Sequence, residues 1–426
     1  MKQPDRRTPP DKYDITVSIP AEPDIFTLDN GVPVYIHNSG TEDIIRIEFF
    51  FRAGSSLEQK TLAASTANMM LFEGTRSFSA AKLASRLDYY GSHPQQFCDN
   101  DSAGISIVFL NKYAENLMPI CREMLFEPVF PAKEFNQVMK KRLQWYNVSR
   151  QKVSALATEK FNELTFGSDH PYGRAVKKED FRNLSVNDVS SFHSTTYLPA
   201  TMAVFVSGKT DNKICELIND YFGDIKKGRK SVVPVRQLQP YAGGVKEHIK
   251  KKNSVQAALR IGKRNITKTH PDYTGLKVVD TLLGGYFGSR LMSNLREDKG
   301  YTYGIHSSLV SMLSSGKAVI SADVGATYVS ESVDEIFKEV EKLRTDTVTE
   351  NEMRVVRNYM LGELLRMFDG PFSVSESFRS VWEFGLDNTY FVRLAERIKN
   401  ITPDEIRMLA KAYYKPEDFV TVTVGP

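Results

Sequence analysis

Cysteine is scarce in this chain: Cys98, Cys121 and Cys215 are the only three among 426 residues. An odd, dispersed set makes neither a disulfide framework nor a cysteine zinc cluster, and it points to a reducing compartment, so a cytoplasmic location is expected. Long apolar runs are missing as well. No stretch approaches the roughly 18 apolar residues of a membrane-spanning helix. The polar start, Met1-Lys2-Gln3-Pro4-Asp5-Arg6-Arg7, lacks the apolar core of a signal peptide, and residues 1–15 are expected to form a flexible arm. No charge sign dominates. Lys and Arg number 56 against 52 Asp and Glu, a net charge of +4, whereas a nucleic-acid binder concentrates basic residues. Neither nucleic acid nor a membrane is therefore an expected partner. The seven histidines, at 37, 93, 170, 193, 248, 270 and 306, never fall within ten residues of one another, so no local His-x-x-x-His pair is available to a metal.

What is present is an ordinary globular composition, 41 % hydrophobic and 25 % charged, at a length that suggests two or more domains. The chain also repeats itself. Tyr197-Leu198-Pro199 through Val206-Ser207-Gly208 matches Tyr414-Lys415-Pro416 through Thr423-Val424-Gly425 at an offset of 217. Ser185-Val186-Asn187-Asp188-Val189 matches Thr402-Pro403-Asp404-Glu405-Ile406 at the same offset, and Glu134-Phe135 matches Glu352-Met353 at 218. Three matches in order at nearly one offset indicate tandem copies of one domain.

Each copy reads the same way. Ser185 and Thr402 are N-cap candidates with an acid three residues on; a short amphipathic helix follows, then Tyr-x-Pro, then an alternating strand ending at glycine. Strands are predicted at 44–52, 103–110, 201–207, 254–262, 316–324 and 419–424. Helices are predicted at 60–73, 79–90, 111–126, 131–149, 153–166, 211–222, 271–284, 328–344, 350–367 and 402–413. Their irregular interleaving implies an α+β fold of two tandem α/β domains, each a mainly antiparallel sheet covered by helices. The first repeat is placed at 16–228 and the second at 246–426. A basic linker at 229–245 lies between them, with Pro234, Pro240 and Gly243-Gly244.

One segment carries a family resemblance. Met70-Leu71-Phe72-Glu73-Gly74-Thr75 resembles the frame that follows the zinc helix of the pitrilysin/insulinase metallopeptidases, the inverzincins, in the branch that includes the processing peptidases. That helix reads His-x-x-Glu-His. Here the three positions hold Ser65, Asn68 and Met69. Counted from Met69, the family's third ligand, a Glu, falls near Trp145, with Gln144 or Tyr146 as the match if the alignment slips by one. None of these side chains replaces an imidazole or a carboxylate on zinc. The resemblance continues through Arg52-Ala53-Gly54-Ser55-Ser56, Asp169-His170-Pro171-Tyr172-Gly173-Arg174 and Gly284-Gly285-Tyr286-Phe287-Gly288-Ser289-Arg290-Leu291. It ends with Leu295-Arg296 through Tyr301-Thr302-Tyr303, where Arg296 and Tyr303 match the family's pair that contacts the substrate peptide across from the zinc.

The resemblance implies half of a clam-shaped peptidase. The chain would be a non-catalytic subunit with no cofactor of its own, giving Arg296, Tyr303 and chamber wall to a zinc-bearing homologous partner that cleaves peptides. It would be inactive alone, and a homodimer is possible without the partner. The competing reading is a scaffold or peptide-binding protein of the same fold with no part in catalysis, in which Arg296 is a surface charge and Tyr303 a sheet aromatic. Pro94, beside Gln95-Gln96-Phe97, removes a backbone donor where the family lays its peptide along an edge strand, and is expected to weaken strand addition there.

Overall fold

The computed structural model describes residues 15–228 and 238–426. The expected arm, apart from Ile15, and the first part of the linker lie outside the described residues.

In the first half, the strands are β1 (Asp24–Thr27), β2 (Pro33–Asn38), β3 (Ile44–Phe51), β4 (His93–Cys98), β5 (Ala103–Leu110) and β6 (Met202–Gly208). The helices are α1 (Ala63–Met70), α2 (Ala80–Tyr89), α3 (Ala114–Phe126), α4 (Ala132–Ser149), α5 (Val153–Phe166), α6 (Asp180–Asn183), α7 (Val186–Thr196) and α8 (Asn212–Phe222). The second half has strands β7 (Lys246–Lys250), β8 (Gln256–Asn265), β9 (Thr302–Ser311), β10 (Gly316–Gly325) and β11 (Val420–Gly425). Its helices are α9 (Tyr273–Asp280), α10 (Val329–Thr345), α11 (Glu350–Arg366), α12 (Pro371–Trp382), α13 (Thr389–Asn400) and α14 (Pro403–Tyr413).

The sheets run β1-β2-β6-β3-β5-β4 and β7-β11-β8-β10-β9. Apart from β1, the two orders correspond strand for strand. The one parallel pair of each sheet, β2 with β6 and β7 with β11, also corresponds. The duplication is visible in local chemistry too. Ser185 Oγ accepts from Asp188 N (3.2 Å) while Asp188 Oδ2 accepts from Ser185 N (2.9 Å). Thr402 and Glu405 make the same reciprocal cap on α14 at 3.2 and 2.9 Å. Each helix then ends at a buried tyrosine, Tyr197 or Tyr414, followed by a short turn at Pro199 or Pro416 and a strand that closes its sheet.

The halves exchange helices. α5 leaves the first half and lays Ala157 and Phe161 on Ala258, Val319, Val420, Val422 and Val424 of the second sheet. α12, at an offset of 218 from α5, lays Phe378 and Trp382 on Phe50, Ala203 and Phe205 of the first. Strand β3 shows how the sequence encodes this. Ile45, Ile47, Phe49 and Phe51 point into the first core. Arg46, Glu48, Phe50 and Arg52 alternate with them, and Arg46 and Glu48 are buried under α12. Arg46 pairs with Glu376, and Arg379 Nε lies 2.8 Å from Glu48 Oε1 in ion-pair rather than hydrogen-bond geometry. Arg379 also reaches Glu383 (2.5 Å), whose carbonyl accepts from Arg52 (2.6 Å). Residues 15–22 form a further strap across the halves. Ile15, Val17 and Ile19 pack on the second core, and Asn388 Nδ2 donates to the Pro20 and Ala21 carbonyls at 3.2 and 3.1 Å.

Five strands, β1, β2, β4, β7 and β9, and helices α6, α12 and α13 add to the elements predicted from sequence. β4 is the outer strand of its sheet, and Pro94 sits on it opposite Ile107. Among the described residues no helix is long and apolar enough to cross a membrane.

Candidate functional site

The helix aligned with the family's zinc helix is α1, and its start is fixed by Glu58. Leu62 holds a left-handed backbone (φ 76°), a conformation that costs roughly 1–3 kcal/mol outside glycine. Glu58 accepts from the N–H groups of Leu62 (3.2 Å) and Ala64 (3.0 Å), and Arg174 pairs with it at 2.7 Å. Burial raises the Glu58 pKa; the Ala64 N–H and Arg174 oppose that rise. One further cation reaches this helix. From α4, Arg142 donates through Nη2 to Ser65 Oγ (2.7 Å) and through Nη1 to Thr66 Oγ1. Burial depresses the Arg142 pKa, and the nearby Glu58 charge supports it.

Asn68 is buried and committed. Its Nδ2 donates to the Gly104 carbonyl (2.9 Å) and to Tyr197 Oη (3.1 Å). Met69 packs against the first core, half-buried. Trp145, one helical turn beyond Arg142, is 65 % exposed, so it is Arg142 that α4 brings to Ser65. The sequence held a signal for this: Arg142 precedes Trp145 by three residues, the spacing that shares a helix face. Cys98, at the end of β4, lies close enough to feel Glu58 and Arg142, and burial pushes its thiol up to about 12. A hydroxyl tied down by a guanidinium, an amide committed to Gly104 and Tyr197, and a thioether do not make a zinc site, which needs imidazole, thiolate or carboxylate donors. Among the described residues no group of three or more His, Cys, Asp or Glu side chains is placed to hold a metal ion.

The second candidate surface is in the other half. Gly284 and Gly285 end a π-helical extension of α9, and a Cβ on Gly284 would come within 2.6 Å of Ser307 N. Arg290 ties this turn to α11 by two bonds to Glu352, at 2.7 and 3.0 Å. Arg296 lies in a second π-helical segment, Met292–Asp298, with its guanidinium 4.6 Å from the Phe287 ring centroid. That segment packs on β9, which carries Tyr303. Tyr303 is 89 % exposed and opens on a groove of about 430 Å³ with Arg260, His306 and Asp323. The structure thus places Arg296 and Tyr303 on adjoining elements of the second half, and Ser65, Asn68 and Met69 on α1 of the first.

The loop around His170 joins the halves. Tyr172 Oη donates to Asp101 Oδ1 (2.6 Å), and Asp101 Oδ2 accepts from Leu313 N (2.9 Å) in the β9–β10 turn.

Known proteins resemble this chain along most of its length. Residues 34–178 match the family model described as Insulinase (Peptidase family M16), and residues 183–360 match the one described as Peptidase M16 inactive domain. A Bacillus subtilis protein named as an uncharacterized zinc protease, YmxG, is 21 % identical over 94 % of this chain and 98 % of its own length. A Helicobacter pylori protein named as the non-peptidase homolog YmxG is 22 % identical over 92 % of each chain. The crystal structure of a peptidase M16 inactive domain from Pseudomonas fluorescens superposes with a TM-score of 0.84, at 20 % identity, over 95 % of this chain and 98 % of that one.

Proposed function

Because this chain belongs to the insulinase family of peptidases, we propose that it is the non-catalytic subunit of a heterodimeric zinc metallopeptidase. The observation that carries the reading is the chemistry of α1. Its two ligand positions are a serine held by Arg142 and a methionine, and its general-base position is a buried asparagine held by Gly104 and Tyr197. No water-activating metal chemistry can be assigned to those side chains. The zinc belongs to a homologous partner that keeps His-x-x-Glu-His, and this chain closes the chamber around a peptide.

Arg296 and Tyr303 act in trans in this reading. The exposed Tyr303 hydroxyl is free to donate to an oxyanion as it develops on the scissile carbonyl. Arg296, held over Phe287, supplies a fixed charge for the peptide. Three free thiols, two of them buried, support a cytoplasmic setting. The experiment is reconstitution: this chain is mixed with a zinc-bearing homologous subunit, and cleavage of an internally quenched peptide is followed. Cleavage by the mixture and by neither chain alone is the expected result. Equal cleavage with and without this chain contradicts the reading. The likeness to the H. pylori non-peptidase homolog favours the alternative, a scaffold or peptide-binding protein with no catalytic part, and that second outcome is what it requires.

A further inference from the structure

A cavity of about 500 Å³ opens at the seam between the halves, and three arginines converge on it. Arg150 comes from the end of α4, Arg174 from the loop after α5, and Arg260 from β8 of the second half. Ser154 and Thr158 of α5 add hydroxyls to its wall. Arg150 already has Glu159 as a partner, and Arg174 has Glu58.

Arg260 is different. Its nearest carboxylate oxygen, on Asp323, is 3.8 Å away, beyond hydrogen-bond distance. Its donors go to neutral acceptors instead: Thr158 Oγ1 at 3.0 Å, the Leu259 carbonyl at 2.8 Å and the Ser154 carbonyl at 3.4 Å. Those contacts use three of the five N–H groups of a guanidinium and leave two. The side chain is only 12 % exposed, so this charge is desolvated without a carboxylate bonded to it. Its neighbours register the excess. Burial and then Arg260 depress the pKa of Lys317, whose ammonium is held 2.6 Å from Asn162 Oδ1 on the cavity wall. Burial and then Arg260 depress His306 as well, with Asp323 opposing. Arg260 also lines the groove that holds Tyr303.

We propose that this seam cavity binds a peptide carboxylate, an acidic side chain or a free C-terminus, with Arg260 as the residue that recognises it. A planar fork with two free donors matches the two oxygens of a carboxylate. The inference rests on the peptide-binding role proposed above and adds the class of peptide preferred.

Binding is measured on the full chain alone by fluorescence anisotropy, so its failure is distinct from failure of cleavage in a reconstituted heterodimer. The probes are labelled octapeptides of one neutral sequence: an internal Glu with an amidated C-terminus, a Gln in its place, and that Gln peptide with a free C-terminus. At least one carboxylate-bearing peptide should bind roughly tenfold or more tighter than the Gln amide, and the one that does identifies the carboxylate. Arg260→Gln should erase the difference. If Arg260→Gln lowers the melting temperature, Arg260→Lys decides, because it keeps the charge and loses the fork; discrimination should again collapse. Equal binding of all three peptides, no binding of any, or a preference that survives both substitutions overturns the proposal. So does inorganic phosphate binding as tightly as the acidic peptide, which marks a site for free anions.

Discussion

Returning zinc ligands to α1 tests what Arg142 does there. The variant Ser65→His/Asn68→Glu/Met69→His/Trp145→Glu restores two imidazoles and two carboxylates at the family's positions, with Trp145 one turn along α4 from Arg142. In the native chain the Arg142 guanidinium lies 2.7 Å from Ser65 Oγ, so it would stand about 5 Å from a metal held at position 65. It would remain charged there. At an effective dielectric of about 20, one positive charge about 5 Å from Zn²⁺ costs about 7 kcal/mol, or about five decades in affinity. The four-site variant should therefore bind zinc poorly, and adding Arg142→Met should recover most of that loss. The fifth substitution is tolerable structurally, because Thr66 keeps its bond to the Leu62 carbonyl at 2.6 Å. Competition against a chromophoric chelator gives both dissociation constants. A difference of less than tenfold between the two variants would refute the electrostatic argument.

Three further outcomes are expected. Arg379→Met removes the cation between Glu48 and Glu383, which are largely buried, and should cost about 3–5 kcal/mol in urea unfolding; a loss under about 1 kcal/mol would show that the exchanged helix α12 does not depend on its charges. Burial pushes the Asp280 carboxyl up to about 6, against about 3.9 for an unfolded aspartate, so the folded chain holds this proton more tightly. The resulting stability is full below about pH 4 and is lost as pH rises through 6. Asp280→Asn should flatten the fall in melting temperature across that window, and an unchanged slope would assign the fall to other groups. Arg296→Ala should raise KM and lower kcat together in a reconstituted heterodimer, because its charge acts in the ground state as well; unchanged kinetics would leave it a surface charge stacked on Phe287.

The repeat was the most legible feature, because caps and turns are local. Ser185-x-x-Asp188 and Thr402-x-x-Glu405 state their helix starts in four residues, and the reciprocal caps form in both copies. Strand β3 was legible to within one residue from its alternation. Edge strands were not. β7 reads Lys-Glu-His-Ile-Lys with only Ile249 apolar on its half-buried face, and β4 carries Pro94, so neither has an apolar period to find. α12 was hidden for another reason. It packs on the other half, and the partners of Arg379 and Phe378 lie more than 300 residues away in sequence, on β3 and Tyr35. α13 buries Tyr390, Phe391, Leu394, Ala395 and Ile398 at helical spacing, and a window placed on it would have found it. At the site, the resemblance in the sequence pointed to Ser65, Asn68, Met69 and Trp145. It did not name Arg142 as what fills the space, since that depends on which face of α4 turns toward α1.

Tyr303→Phe in the reconstituted heterodimer tests the central claim most directly. The side chain is 89 % exposed in this chain, so the substitution removes one hydroxyl without disturbing the fold. If Tyr303 donates to the scissile carbonyl as charge develops, kcat should fall roughly 100- to 1,000-fold while assembly with the zinc-bearing partner and KM stay near wild type. Full activity from a heterodimer of verified composition would contradict a catalytic contribution and leave this chain a scaffold.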